Sequence, residues 1–151
     1  GKLGEVALAF PDEPALLHGP AHHLEQVVRS EWLDQEIEGA VLIGRHCQIE
    51  DGARIVNSCI DNYTQIGKNA AIENSAIMDR VKIGEKAEVL DSIIGRHTMV
   101  RSNQQRQTKI SAVSVVADDV TIEEGCTLVA TKIYPHQHVR GRFQNQTLMV
   151  G

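Results

Sequence analysis

IGRHCQIEDGARIVNSC (43–59), IDNYTQIGKNAAIENSA (60–76) and IMDRVKIGEKAEVLDSI (77–93) are three copies of one 17-residue unit, and a fourth opens at IGRHTMV (94–100). Bulky aliphatic residues fall at 43, 49, 55, 60, 66, 72, 77, 83, 89, 94 and 100, in steps of six, six and five. A helix is excluded, because advances of six at about 100° per residue scatter side chains around its cylinder. Short strands joined by tight corners keep them on one side. Two positions before each aliphatic residue from Ile49 onward stands a smaller one: Cys47, Ala53, Ser58, Thr64, Ala70, Ser75, Val81, Ala87, Ser92 and Thr98. Side chains two apart on a strand share a face, so both columns point inward. The unit predicts a three-sided prism, each turn about 4.8 Å above the last, with large residues in the bore and small ones in the corners.

Corner residues agree with this. Gly52, Asn69 and Asn103 share a position where the backbone is expected to need a positive φ, with Lys86 as the exception. Asn57, Asn74 and Asp91 form a column beside Ser58, Ser75 and Ser92, a pattern that suits side-chain hydrogen-bond ladders.

Working outward, the register breaks at RSNQQRQ (101–107), where Gln104 and Arg106 stand at positions due a small and an aliphatic residue, so this stretch is expected to bulge as a loop. Regularity resumes at Ile110, Val116, Ile122, Leu128 and Ile133, with Thr108, Ser114, Val120, Cys126 and Thr131 at the small positions. Pro135 is expected to end the prism, and RGRFQNQTLMVG (140–151) to form a tail over its open end. Upstream, residues 24–32 fit either a helical face (Leu24, Val27, Val28, Trp32) or an irregular first turn, VVRSEW echoing IVNSCI; Ile37 to Ile43 already keeps the six-residue step. Residues 1–26, with three of the four prolines, read as a strap or linker, and Val6 to Phe10 as a run lying against the prism. The resulting division is strap 1–26, an all-β domain 27–139 of about six turns, and tail 140–151.

Composition narrows the function classes. Aromatic residues make up 3% of the chain against 42% hydrophobic, which suits an aliphatic bore. A formal charge of −5 argues against nucleic acid or an anionic membrane as partner. Cys47, Cys59 and Cys126 are an odd set without metal-type spacing, as expected of reduced thiols in a cytoplasmic protein. No apolar run reaches the length of a membrane span, and the amino terminus lacks a signal pattern. A start at Gly1 rather than Met suits a piece of a longer polypeptide or a processed tag scar.

The hexapeptide steps IGRHCQ, IGKNAA and IGEKAE resemble the left-handed parallel β-helix family, and the left hand is implied by that resemblance, not by the spacing. The 17-residue variant with VNSCI, ENSAI and LDSII is similar to the carboxy-terminal domain of sugar-1-phosphate nucleotidylyltransferases, such as glucose-1-phosphate thymidylyl- and adenylyltransferases and mannose-1-phosphate guanylyltransferases. That family carries its chemistry, with magnesium, in an amino-terminal domain with a GGxGTRLxP-type loop, and no such loop occurs in this sequence. The resemblance therefore implies an accessory domain for assembly or regulation, without a cofactor of its own. The other possibility it implies is acetyl transfer from acetyl-CoA to an amino-sugar phosphate.

Candidate sites all lie outside the bore. Leu42, Cys59, Ala76 and Ile93 precede inward residues on one face and must point outward, with Met78 adjacent. This apolar stripe predicts a docking surface, for further copies in a dimer or trimer or for the amino-terminal catalytic domain; the plainer reading is a flat face that tolerates small residues. His46 and His97 share one repeat offset, three turns or roughly 14 Å apart, too far to share a zinc ion. Either could be the general base of an acetyltransferase, His97 preferentially because the 101–107 loop follows it, or each is a solvated corner residue. Arg96, Arg101, Arg106 and Lys109, with Arg45, could hold a phosphate, or they solvate a loop. His136 and His138 form an HxH, and His22 adjoins His23, but neither pair has the ligand set of a metal site, so none is assigned.

Overall fold

A computed structural model describes residues 34–149, and for residues 15–17 the course of the backbone. The expectations for Val6 to Phe10, for 24–32 and for the last two residues lie outside the described residues. From Asp34 onward the chain is a left-handed parallel β-helix of about seven turns, one more than the repeat suggested, with three sheets as its walls, of seven, six and seven strands, the first extended to eight by Ala15–Leu17.

One wall, here the broad face, contains Val41–Ile43, Cys59–Ile60, Ala76–Ile77, Ile93–Ile94, Val115–Val116, Lys132–Ile133 and Thr147–Leu148, paired in parallel in that order. The second wall runs from Gln48–Ile49 to His138–Val139, and the third from Glu36–Glu38 to Arg142–Gln144. Strands of two or three residues suffice because each is hydrogen-bonded to the turns above and below. Every inward aliphatic position of the repeat from Ile43 to Val100 is buried, as are the small positions from Ala53 to Thr98. Burial of each Ile contributes about 1.5–3 kcal/mol, so the stacked isoleucines dominate the stability.

Corners need left-handed backbone. Gly52, Asn69 and Lys86 have φ of 76°, 57° and 60°, so the expectation holds there and extends to Lys86. Asn103 departs from it: it sits inside the inserted loop, where its Oδ1 accepts hydrogen bonds from the Gln105 and Arg106 amides, and has no positive φ. The serine column forms a ladder through the backbone: Ser58 Oγ accepts from Ser75 N (3.0 Å), Ser75 Oγ from Ser92 N (3.1 Å), and Ser92 Oγ from Ser114 N (3.2 Å). Buried amides at this corner are thus satisfied by side chains.

The carboxy-terminal expectation needs correction. Arg142–Gln144 pairs with Thr127–Val129, and Thr147–Leu148 with Lys132–Ile133, so most of the expected tail is a further turn. Phe143 and Leu148 pack against the bore as its last inward residues. Two physical facts hid this turn. Its corner is shortened, Arg140 and Gly141 alone separating Val139 from Arg142, with Gly141 at φ 106°. Pro135 also ends nothing: it occupies a corner before His136 at φ 65°, where proline before a positive φ suits a type II turn. On two earlier turns that corner position uses its amide, Arg45 N donating to Asn62 Oδ1 and Arg96 N to Asp118 Oδ1.

At the amino-terminal end, Ala15–Leu17 runs antiparallel to Val41–Ile43 and covers the first edge of the broad face. Gln35, buried, donates from Nε2 to the Ile49 carbonyl (2.7 Å), taking an acceptor that on later turns receives a backbone amide, as Ile66 O does from Glu50 N. Edges that would template further pairing are blunted at this end.

Candidate functional site

Strand alternation turns Leu42, Cys59, Ala76 and Ile93 outward on the broad face, one above the other. Val115 continues the column before Lys132 and Thr147 end its apolar run. Met78 lines a recess with Leu42, Cys59 and Ala76. Beside the column runs a groove of about 470 Å³ with Cys59, Ala76, Ile93 and Val115 as its floor and Asn57, Asn74 and Asp91 as its rim.

One wall of that groove was not foreseen. Ser111 pairs as Leu90 does, and Val115 as Ile93 does, so the corner between them holds one residue more than on the turn before. The extra residue puts both Ala112 (φ 58°) and Val113 (φ 61°) in left-handed backbone and lifts Val113 out to 71% exposure. A signal existed in the sequence, since Ile110 to Val116 is a step of six where the cycle calls for five.

The two histidines do share a corner column, at φ 57° for His46 and 59° for His97, and both are exposed. His46 stacks on Tyr63 with ring centroids 5.1 Å apart, and the Arg80 guanidinium lies 4.8 Å above the same Tyr63 ring. The 101–107 loop rises at the next corner, past the strand Met99–Val100, roughly 13 Å from His97 along the chain. It walls a groove with Gln65, Lys82 and Met99 instead.

The basic set is dispersed by carboxylates. Arg96 lies 4.0 Å from Asp79 and 3.8 Å from Asp118, Arg101 3.8 Å from Glu123, and Lys109 4.0 Å from Glu88. Arg106 packs over Gly125 on another turn. These cations point to separate partners rather than to one anion. His138 bonds Glu123, which together with Arg101 and Arg140 holds the Glu123 carboxyl below its ordinary range, while His136 lies 3.7 Å from Asp119. Among the described residues no three His, Cys, Asp or Glu side chains gather as metal ligands. Burial pushes the Cys47 and Cys126 thiols up, and their Sγ atoms face the Asp61 and Val139 carbonyls. No helix of the described residues is long and apolar enough to cross a membrane.

With this geometry in place, the family comparison is informative: residues 37–149 match the family described as GMPPB C-terminal domain. The chain belongs to that family. Its β-helix is therefore a nucleotidyltransferase carboxy-terminal domain, as the 17-residue unit implied. The comparison with curated proteins found no match. Among solved structures, the acetyltransferase domain of PglB from Neisseria gonorrhoeae, in complex with acetyl coenzyme A, is 20% identical with a TM-score of 0.59, covering 72% of this chain and 52% of that one. A hexapeptide transferase family protein from Anaplasma phagocytophilum is 19% identical with a TM-score of 0.40, covering 75% and 71%. The chain spans about half the length of the PglB domain. At such identity the PglB likeness extends this GMPPB-type domain's kinship to the fold alone.

Proposed function

We propose that the chain is the assembly and regulatory β-helix of a sugar-1-phosphate nucleotidylyltransferase and does not itself transfer a nucleotide. The observation that carries this reading is the family match across almost the whole solenoid, residues 37–149. The apolar column on the broad face supplies a docking surface of the kind such a domain needs. A Gly-rich GGxGTRLxP-type loop encoded in the same polypeptide is the expected companion, and a coding sequence without one removes the reading. The chain alone, given nucleoside triphosphates and hexose-1-phosphates, should release no pyrophosphate.

Acetyl transfer is the second reading, supported by a fold shared with an acetyl-CoA-binding domain. The same preparation decides it with acetyl-CoA and glucosamine-1-phosphate. Thiol release abolished by His97→Ala would establish it, whereas none is expected from a His97 that stands exposed at a corner remote from the inserted loop.

A further inference from the structure

The two ends of the β-helix are finished differently. At the amino-terminal end Ala15–Leu17 covers an edge of the broad face and Gln35 takes the Ile49 carbonyl. At the carboxy-terminal end all three sheets stop on one turn, with His138–Val139, Arg142–Gln144 and Thr147–Leu148 each last in its sheet among the described residues. The inward residues of that turn are open in part: Phe143 and Leu148 are half-buried, whereas Leu128 and Ile133 beneath them are closed off. Phe143 and Leu148 line, with Val139, Arg140 and Met149, a cleft of about 330 Å³.

Two further features mark the Arg142–Gln144 edge. On each earlier turn of its wall the first residue of the strand donates its amide to the turn after, as Lys109 does to the Cys126 carbonyl (2.9 Å) and Thr127 to that of Gly141 (3.0 Å). Arg142 holds this position where the sheet ends. Outward charges on this wall are likewise met from an adjoining turn, Arg54 by Glu36 (3.2 Å) and Lys109 by Glu88 (4.0 Å). Arg142 stands over Thr127 instead. Although the chain has 20 Asp and Glu residues against 15 Lys and Arg, none follows Glu124, and Glu123 is engaged by His138 and Arg101. The last turn thus carries Arg140 and Arg142 and no carboxylate.

We propose that this end receives an acidic, extended peptide segment of a partner protein, added as a further strand on Arg142–Gln144. That edge has three residues where the other two have two, and a strand laid on it in parallel, as it lies on Thr127–Val129, has its side chains dictated by the stack. A Glu or Asp faces Arg142, the next residue turns inward over Phe143 and is aliphatic, and the third, over Gln144, points outward and is polar. Backbone pairing supplies affinity, the inward residue closes the cleft, and the carboxylate supplies selectivity. A second copy of this end is opposed by charge, since it would bring two cationic turns together. The proposal goes beyond the nucleotidylyltransferase reading and does not depend on it, because it needs only the last turn.

A short fluorescent peptide of alternating glutamate and valine tests it on the chain as it stands, by anisotropy and by amide hydrogen exchange. The peptide should bind saturably below roughly 1 mM. It should slow exchange of the Arg142 amide and leave that of Arg54, already bonded to Ala70, unchanged. The same peptide N-methylated at every valine, the residues whose amides face the edge in parallel pairing, should not bind, nor should one with lysine in place of glutamate. Arg142→Glu, at an exposed position, should weaken binding of the glutamate peptide about tenfold or more without lowering the thermal midpoint, and should admit the lysine peptide. No saturable binding to the wild type, equal binding of the lysine peptide, or binding retained by the N-methylated peptide would each overturn the proposal. So would displacement by inorganic triphosphate at equal concentration, the mark of a plain anion site, or peptide binding that falls as the chain is concentrated, the mark of a second copy on this end. None of these outcomes bears on the pyrophosphate and thiol assays or on the companion loop, so the two readings fail separately.

Discussion

The turns between Ile43 and Val100 and the turn from Arg101 to Val116 share a bore and differ outside it. In the former, pairing partners stand one 17-residue unit apart, as Ile77 and Ile94 do. In the latter, Ile94 pairs with Val116, the surplus being taken up by the 101–107 loop and by the Ala112–Val113 corner. Yet Ile110 and Val116 are as buried as their counterparts Val89 and Ile94. A one-residue slip within a strand would turn every bore residue outward, whereas a corner can lengthen into solvent without moving either strand. Additions are therefore confined to corners, and they change only the surface.

Breaking the bore gives the largest effect. Ile66, fully buried on a regular turn, should lose about 2–5 kcal/mol on Ile66→Ala. Denaturant unfolding beside Gln65→Ala, an exposed neighbour, measures it; equal midpoints would mean that the inward register is wrong. The serine ladder comes next. Ser75→Ala removes the acceptor of the buried Ser92 amide and should cost about 1–3 kcal/mol. Ser92→Ala should cost as much, although its client, the Ser114 amide, belongs to the irregular turn. A much smaller loss there would show that the two regions are not held alike. Smaller again is the loop. Replacing residues 101–108 by the four-residue corner 84–87 halves its length, which should change stability by only about 0.6 kcal/mol. A loss comparable with Ile66→Ala would make the loop structural.

The same contrast governs what the sequence reveals. The bore was legible because one steric rule, large then small with fixed steps, acts on every turn, and Ile43 to Val100 obey it without exception. The last turn was not, because its shortened corner around Gly141 moves Phe143 and Leu148 off the period, and Pro135 mimics a terminator while serving a corner. The outward stripe could be read as a column, but not the groove beside it, since its wall depends on the backbone conformation of two residues, Ala112 and Val113. The cations around 101–109 looked convergent on the linear chain. Stacking separates them, giving Arg96 to Asp118, Arg101 to Glu123 and Lys109 to Glu88.

The smallest expected effect tests how the irregular turn is joined to the last one. Glu123 lies between them, bonded to His138 of the final turn and 3.8 Å from Arg101 at the foot of the loop. Its hydrogen bond with His138 is the leading cause of the lowered carboxyl pKa, and Arg101 and Arg140 add to it. A carboxyl with a depressed folded-state pKa contributes stability at pH values above its unfolded pKa, and that contribution disappears as pH falls through the folded value. The loss should therefore occur on the acid side, below the ordinary carboxylate range. Glu123 is solvent-facing, so screening keeps the effect small. Glu123→Gln should flatten the acid limb of the midpoint-versus-pH curve, and His138→Ala should flatten it in large part, since it removes the leading cause and leaves Arg101 and Arg140 in place. If only Glu123→Gln did so, Arg101 would be the group that matters, and the last turn would be held by its bore residues, Phe143 and Leu148, without an electrostatic tie to the turn before it.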